Sequence, residues 1–266
     1  MKNKVYLSSH SVGLCPKKRT WSHFFYESWQ QGGSHSWPQW LDALKQCMNS
    51  LASFLSTKPH QLCPQLNISS GLCKVVQSLQ KNTHSRKKIL MSEKDFPTTA
   101  YAVSGSFDGE VEYIPKHLDL SDLNVWEHYL DEKILLAHIT HATSHSGELL
   151  PIAELCRMCQ RKGILTIVDI AQSVGVVPLF LDELDADFVV GSSIKWLCGG
   201  PGACFLWIKE DKIESCFPKD RGWFSHEDPF CYDIRSFSYA KDASRFLGGT
   251  PNVLPYLHLM DSLEVL

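Results

Sequence analysis

The sequence predicts an α/β fold, with a mostly parallel sheet flanked by helices, on three observations. Short apolar runs that read as buried strands recur at residues 88–91, 111–114, 134–139, 165–170, 188–190 and 203–208. Helical patterns lie between several of them, and strands alternating with helices pair in parallel beneath helical layers. The length, 266 residues, suits one sizeable domain of this kind.

Met1 to His10 open with a positive pair but carry no apolar stretch behind it, so they do not read as a secretion signal. Residues 38–55 place Trp40, Leu41, Leu44, Met48, Leu51 and Leu55 at helical spacing. Asn67-Ile68-Ser69-Ser70-Gly71 forms a polar head before an amphipathic stretch at 72–79. Residues 151–162 begin with Pro151, which suits a first helical turn, and Gly163 follows as a stop. Residues 251–266 turn helix-like and halt on Leu-Glu-Val-Leu with no cap, glycine or polar tail, so the chain reads as cut short there.

Hydrophobic residues make up 44% and charged residues 21%, an ordinary globular balance. A net charge of −3, with no basic run longer than Arg86-Lys87-Lys88, argues against nucleic acid as a partner. No apolar run approaches the ~18 residues of a membrane span. Ten cysteines are scattered without a framework spacing, and without an export signal they read as reduced and mostly buried. The expectation is a soluble cytoplasmic protein.

In open parallel sheets, ligands sit at the carboxyl ends of strands. Asp169 and Ser192 lie at or just beyond two such ends, and Lys195 follows Ser192-Ser193-Ile194. A lysine in apolar surroundings has a lowered pKa and offers a free amine for carbonyl chemistry. Lys195 alone reads as a surface side chain. Its setting, Gly191-Ser192-Ser193 before it and Gly199-Gly200-Pro201-Gly202 after it, points to a Schiff-base lysine. Asp169 reads equally as a turn cap or as the acid that keeps a pyridine nitrogen protonated. Together the pair suits pyridoxal 5'-phosphate. Gln172 is placed to reach the ring's 3-oxygen or the substrate imine, or is simply solvated. Ser69 and Ser70 offer a phosphate seat at a helix N-terminus, or a plain N-cap. Phe96, before Pro97, is either a lid on the ring or core.

Two other patterns run against strand and helix periodicity. His138, His141 and His145 could form a metal cluster only on a helix, whereas residues 134–139 read as strand. Cys156-x-x-Cys159 lies inside a helical pattern and lacks a second pair, which disfavours zinc or redox chemistry.

The chain resembles the class V aminotransferase group of pyridoxal-phosphate enzymes (fold type I), and within it the kynureninases. The likeness begins at Tyr6-Leu7-Ser8-Ser9-His10-Ser11-Val12-Gly13-Leu14 and runs to the end. It is strongest at Asp169-x-Ala171-Gln172 with Ser192-x-x-Lys195, at Gly222-Trp223-Phe224-Ser225-His226 with Pro229-Phe230, and at Arg245-Phe246-Leu247-Gly248-Gly249-Thr250-Pro251. The resemblance implies that Trp223 reaches the cofactor phosphate and that His226 faces the substrate. It implies that Thr250 contacts the phosphate of a neighbouring subunit, hence a homodimer with shared sites. Phe96, Ser69 and Ser70 fall at its ring-stacking and phosphate positions, and Thr140 near a further cofactor contact.

The expected division is an N-terminal arm (1–30), a cofactor-binding large domain (31–250) and the start of a truncated C-terminal segment (251–266). The resemblance implies a small C-terminal domain, on the order of 100 residues, beyond this segment, and the sequence is expected to lack it. The implied activity on an amino acid is kynureninase-like: hydrolytic Cβ–Cγ cleavage of kynurenine to anthranilate and alanine. The alternatives are another class V activity, as aminotransferase or cysteine desulfurase, or a non-catalytic truncated fragment of the fold. Three positions depart from the kynureninase pattern: Ile194 replaces tyrosine, Gln172 replaces histidine, and Thr99 replaces an acid.

Overall fold

The computed structural model describes residues 5–17, 19–79 and 86–266. Met1 to Lys4, the start of the expected arm and of the stretch read against a secretion signal, lie outside the described residues.

Seven strands form one sheet: β1 (Leu62–Gln65), β2 (Lys88–Ser92), β3 (Glu110–Ile114), β4 (Ile134–Thr140), β5 (Leu165–Asp169), β6 (Phe188–Ser192) and β7 (Cys204–Ile208). Their order is β1-β7-β6-β5-β4-β2-β3. The pairs β3–β2, β2–β4, β4–β5 and β5–β6 are parallel, and β7 alone runs against its neighbours β6 and β1. The fold is therefore the mostly parallel α/β architecture expected. The six predicted runs match strands within one or two residues at each end. β1 was not foreseen, because it is only four residues long and holds Pro64. Proline is tolerated there because β1 is an edge strand.

Successive strand residues point to opposite faces, and both faces are dry. Val168, Val189 and Phe205 pack beneath α2 (Trp37–Phe54), α6 (Ile152–Arg161) and α8 (Leu254–Leu263). Ile167, Phe188, Val190 and Leu206 pack beneath α3 (Ile68–Leu79) and α4 (Pro97–Ser106). Truncating a fully buried Phe188 to alanine would cost roughly 3–5 kcal/mol by this packing alone. Pro151 stands at the N-cap, one place before helix α6, and not in its first turn. Gly163 takes φ +66°, the left-handed turn that ends α6 and that a Cβ would strain.

The first helix, α1 (Thr20–Gly32), gains no side-chain cap from Arg19 before it. Its acceptor comes from α8: Asp261 takes hydrogen bonds from the Trp21 N–H (2.8 Å), the Ser22 N–H (3.2 Å) and the Ser22 hydroxyl (2.7 Å). A negative charge at that end also suits the helix dipole. No helix among the described residues is long and apolar enough to cross a membrane.

Candidate active site

β1, β2, β4, β5 and β6 all run the same way, so their carboxyl ends meet at one edge of the sheet. A cavity of about 300 Å³ opens there. Asp169, the last residue of β5, and Lys195, three residues past the end of β6, both line it. Ser69, Phe96, Thr140, Gln172 and Ser192 line it too. Seven of the sequence-predicted positions are thus brought together from segments spread over more than a hundred residues.

Asp169 is buried and accepts the Ala171 N–H at 2.8 Å. Burial lifts its carboxyl above the ordinary carboxylate range, while the charge of His138, the Ala171 N–H and the charge of Lys195 pull it part of the way back. Lys195 is half-buried, and its Nζ lies 5.9 Å from the centroid of the Phe96 ring. Burial holds this amine below the ordinary lysine value, with Asp169 opposing. The ammonium–ring contact is worth about 0.5–2 kcal/mol.

The first turn of α3, a helix of twelve residues, contributes Ile68 and Ser69 to the wall. The cap is Asn67, whose Oδ1 accepts the Ser70 N–H at 2.8 Å. Ser70 donates its hydroxyl to Asn67 O at 2.9 Å and does not line the cavity. Gln172 is held from both ends: its Nε2 donates to His10 O at 3.2 Å, and its Oε1 accepts Trp196 Nε1–H at 3.3 Å. The same N-terminal segment closes on the lysine turn, where Gly13 N–H donates to Ile194 O at 2.8 Å. A Cβ on Gly13 would stand 2.0 Å from Lys195 O, so only glycine permits this approach.

Trp223, His226 and Thr250 stand apart from this cavity. Trp223 Nε1–H donates to Thr250 Oγ1 at 3.3 Å, and Trp223 and His226 line a separate depression of about 450 Å³.

Three residues of the site were not singled out for it from sequence. Cys204 lines the cavity, and burial pushes its thiol up to about 11. Asp95 accepts the Thr140 hydroxyl at 2.6 Å and pairs with His138 Nδ1 at 3.0 Å. The histidine trio 138, 141 and 145 divides: His138 faces Asp95, and His141 Nδ1 meets Ser173 Oγ at 2.9 Å. Among the described residues, no three His, Cys, Asp or Glu side chains are grouped to hold a metal. Cys156 and Cys159 are both buried in the core face of α6.

A free amine, a buried carboxylate, an aromatic face and a helix N-terminus around one small cavity form a donor set for a flat, anionic, aldehyde-bearing ligand.

A family model described as Aminotransferase class-V matches residues 23–266. The uncharacterized aminotransferase YcbU of Bacillus subtilis is 27% identical over 227 residues, covering 85% of this chain and 59% of that protein. A kynureninase of Deinococcus radiodurans is 28% identical over 276 residues, covering 98% of this chain and 65% of the relative. The chain thus spans about six-tenths of the length of these curated relatives. Two solved structures of C-DES superpose with TM-score 0.88 at 23% identity, covering 99% of this chain and 71% and 72% of theirs. One is a mutant with glycine covalently linked to the PLP cofactor, and the other is the cystine C–S lyase with its product, cysteine persulfide.

Proposed function

The chain belongs to the class V aminotransferase family, and we propose that it binds pyridoxal 5'-phosphate and acts on an amino acid in the manner of a kynureninase. The observation that carries this reading is the sharing of one cavity by Lys195 and Asp169 from neighbouring strands. The cavity fits the cofactor chemically. Lys195 supplies the attachment amine, Asp169 the partner for the ring nitrogen, and Phe96 an aromatic face. Ser69, Ser192 and the α3 N-terminus supply donors for phosphate, with Ser70 supporting that turn through Asn67.

Bound there, the cofactor supplies an electron sink for the carbanion left when a substrate α-proton departs. Lys195 Nζ is the base that takes that proton, and burial lowers its basicity from the ordinary lysine value in the direction that task needs. Asp169 holds a negative charge against the ring nitrogen. Gln172, fixed by His10 and Trp196, and Thr140, fixed by Asp95, orient what enters the cavity.

The family pattern extends this proposal to Trp223, His226 and Thr250, which lie away from the chain's own cavity. In a homodimer, Trp223 and Thr250 would serve the phosphate of the neighbouring subunit's site, and His226 its substrate. The division into an arm (1–30), a cofactor domain (31–250) and a following segment (251–266) belongs to the same proposal. Soluble, cytoplasmic placement accords with the composition.

The kynurenine reading is supported by the relative from Deinococcus and by the Trp223–His226 segment. A second reading, cleavage of a carbon–sulfur bond, is favoured by the likeness to C-DES and by Gln172 in place of histidine.

The test begins with addition of pyridoxal phosphate, followed by borohydride and peptide mass mapping. A modification on Lys195 is the expected result, and absence of bound chromophore would overturn the cofactor reading. Assays with kynurenine, cysteine and amino-acid/keto-acid pairs then separate the activities, with anthranilate release expected.

A further inference from the structure

Four charged side chains stand in a row across consecutive strands, with alternating sign. Asp95 follows β2, His138 is on β4, Asp169 ends β5 and Lys195 follows β6, and the sheet order is β2-β4-β5-β6 read inward from one side. Thr140 is in register with Asp169, and His138 lies one pleat earlier on the same face of β4.

The left-hand end of the row is rigid. His138 is fully buried, with its Nδ1 at 3.0 Å from Asp95 Oδ2. Asp95 is fixed in turn by the Ser92 N–H at 3.0 Å and by the Thr140 hydroxyl at 2.6 Å. The other ring nitrogen, His138 Nε2, is buried and has no hydrogen-bond partner among the described residues. A histidine serving only to fill the core would leave no such polar atom exposed to the field of a second carboxylate.

We propose that His138 is a positioning residue that acts through Asp169: anchored by Asp95, its imidazolium supplies the fixed positive charge that keeps the Asp169 carboxylate ionised inside the cavity. Burial drives Asp169 towards its neutral form, and among the influences opposing burial the charge of His138 comes first, ahead of that of Lys195. The two cations are not equivalent. Lys195 changes charge when it carries the cofactor and when it takes a proton, whereas His138 is sealed in the core against Asp95 at 3.0 Å. The imidazole itself is drawn down by burial and raised further by Asp95, through charge and hydrogen bond, and by Asp169. Among the described residues these are the charged groups that act on it, Asp95 from the turn after β2 and Asp169 from β5.

The link to a ring nitrogen rests on the cofactor reading above, whereas the influence of His138 on Asp169 across β4 and β5 does not. Histidine ring resonances of the full chain, labelled and assigned through backbone connectivities, give the titration midpoint of His138 without cofactor. The wild type should titrate above ordinary histidine, and the midpoint should fall by about one pH unit in both D95N and D169N. A midpoint unmoved in D169N would overturn the proposal. D95N keeps the test decisive should D169N fail to fold: a His138 already neutral at pH 7 in the wild type, and unaffected by D95N, overturns it equally. With pyridoxal phosphate added, the pH at which the bound chromophore changes colour should shift in H138Q relative to wild type. A midpoint that moves in D169N, in a chain that takes up no chromophore, supports that influence and overturns the cofactor reading instead.

Discussion

Ser192 and Cys204 stand opposite each other in the antiparallel ladder between β6 and β7, and both face the cavity. Burial holds the Cys204 thiol up at about 11, against the Ser192 hydroxyl, which favours its thiolate. At pH 7.5, on the order of one molecule in a thousand or fewer therefore carries the reactive thiolate. Iodoacetamide should modify exposed Cys15 and Cys231 first. Cys204 should react well after them, and more slowly still with pyridoxal phosphate present. Peptide mass mapping over time checks the order, and early labelling of Cys204 would contradict the burial seen at this wall.

Replacing Lys195 with alanine should abolish the borohydride-fixed cofactor and lower turnover by roughly 10²–10⁴-fold, the range of a lost general base. Thermal melting should change little, because Lys195 is only half-buried and its contacts are confined to the cavity. Reduced-protein mass spectra and a melt read both.

Asp169→Asn separates function from stability. Burial raises this carboxyl above its ordinary range, so its charged form is less favoured in the folded chain than in the unfolded one. The amide should melt at an equal or higher temperature, while turnover falls by roughly 10²–10³-fold, as for the loss of one preorganised electrostatic partner. Calorimetry beside steady-state kinetics decides it. A marked loss of stability would mean that the Ala171 N–H contact outweighs the charge.

His141 makes the fold acid-sensitive. Burial lowers its imidazole to about 4, so between pH 6.5 and 4 the unfolded chain binds the proton and the folded chain does not. Its contribution is fully present above pH 6.5 and is lost as the pH falls towards 4, on the order of 3 kcal/mol in all. Denaturant melts of wild type and His141→Gln across that range should show a shallower slope in the variant. His138, whose pKa is raised, works in the opposite sense, stabilising below 6.5 and losing that contribution as pH rises through its folded value.

Shared sites predict complementation. Lys195→Ala and Thr250→Ala should each be nearly inactive, while subunits mixed after unfolding and refolding should regain about a quarter of wild-type activity, because half the dimers carry one intact site. No recovery would place Thr250 within its own subunit's site or remove it from the machinery.

The strands that carry the site were legible because β4, β5 and β6 are buried on both faces and are mostly apolar, interrupted only by His138 and Thr166 before their ends. Asp169 and Ser192 stood out as polar residues at the carboxyl ends of two of those runs. What escaped depended on partners distant in sequence. Asp95 and His138 are 43 residues apart, and no local pattern pairs them. His138 was correctly placed on a strand, yet histidine spacing speaks only to metals and helices. Ser70 looked like an anion ligand because the composition of a cap and of a phosphate seat is the same; only the bond to Asn67 tells them apart. Cys204 could have been found from the first residue of a strand following Gly199-Gly200-Pro201-Gly202, since that turn must bring it back beside Ser192. β7 reads like its parallel neighbours because direction leaves no mark on an apolar run.

The Asp261 contact to Trp21 and Ser22 orders events during synthesis. The first helix leaves the ribosome with its leading amides unanswered, and the acceptor that answers them is made 240 residues later. At ordinary elongation speeds that is a wait of roughly 10–50 s. Until then, water must answer the Trp21 and Ser22 amides, and the first helix is held from its α2 side, by Trp40.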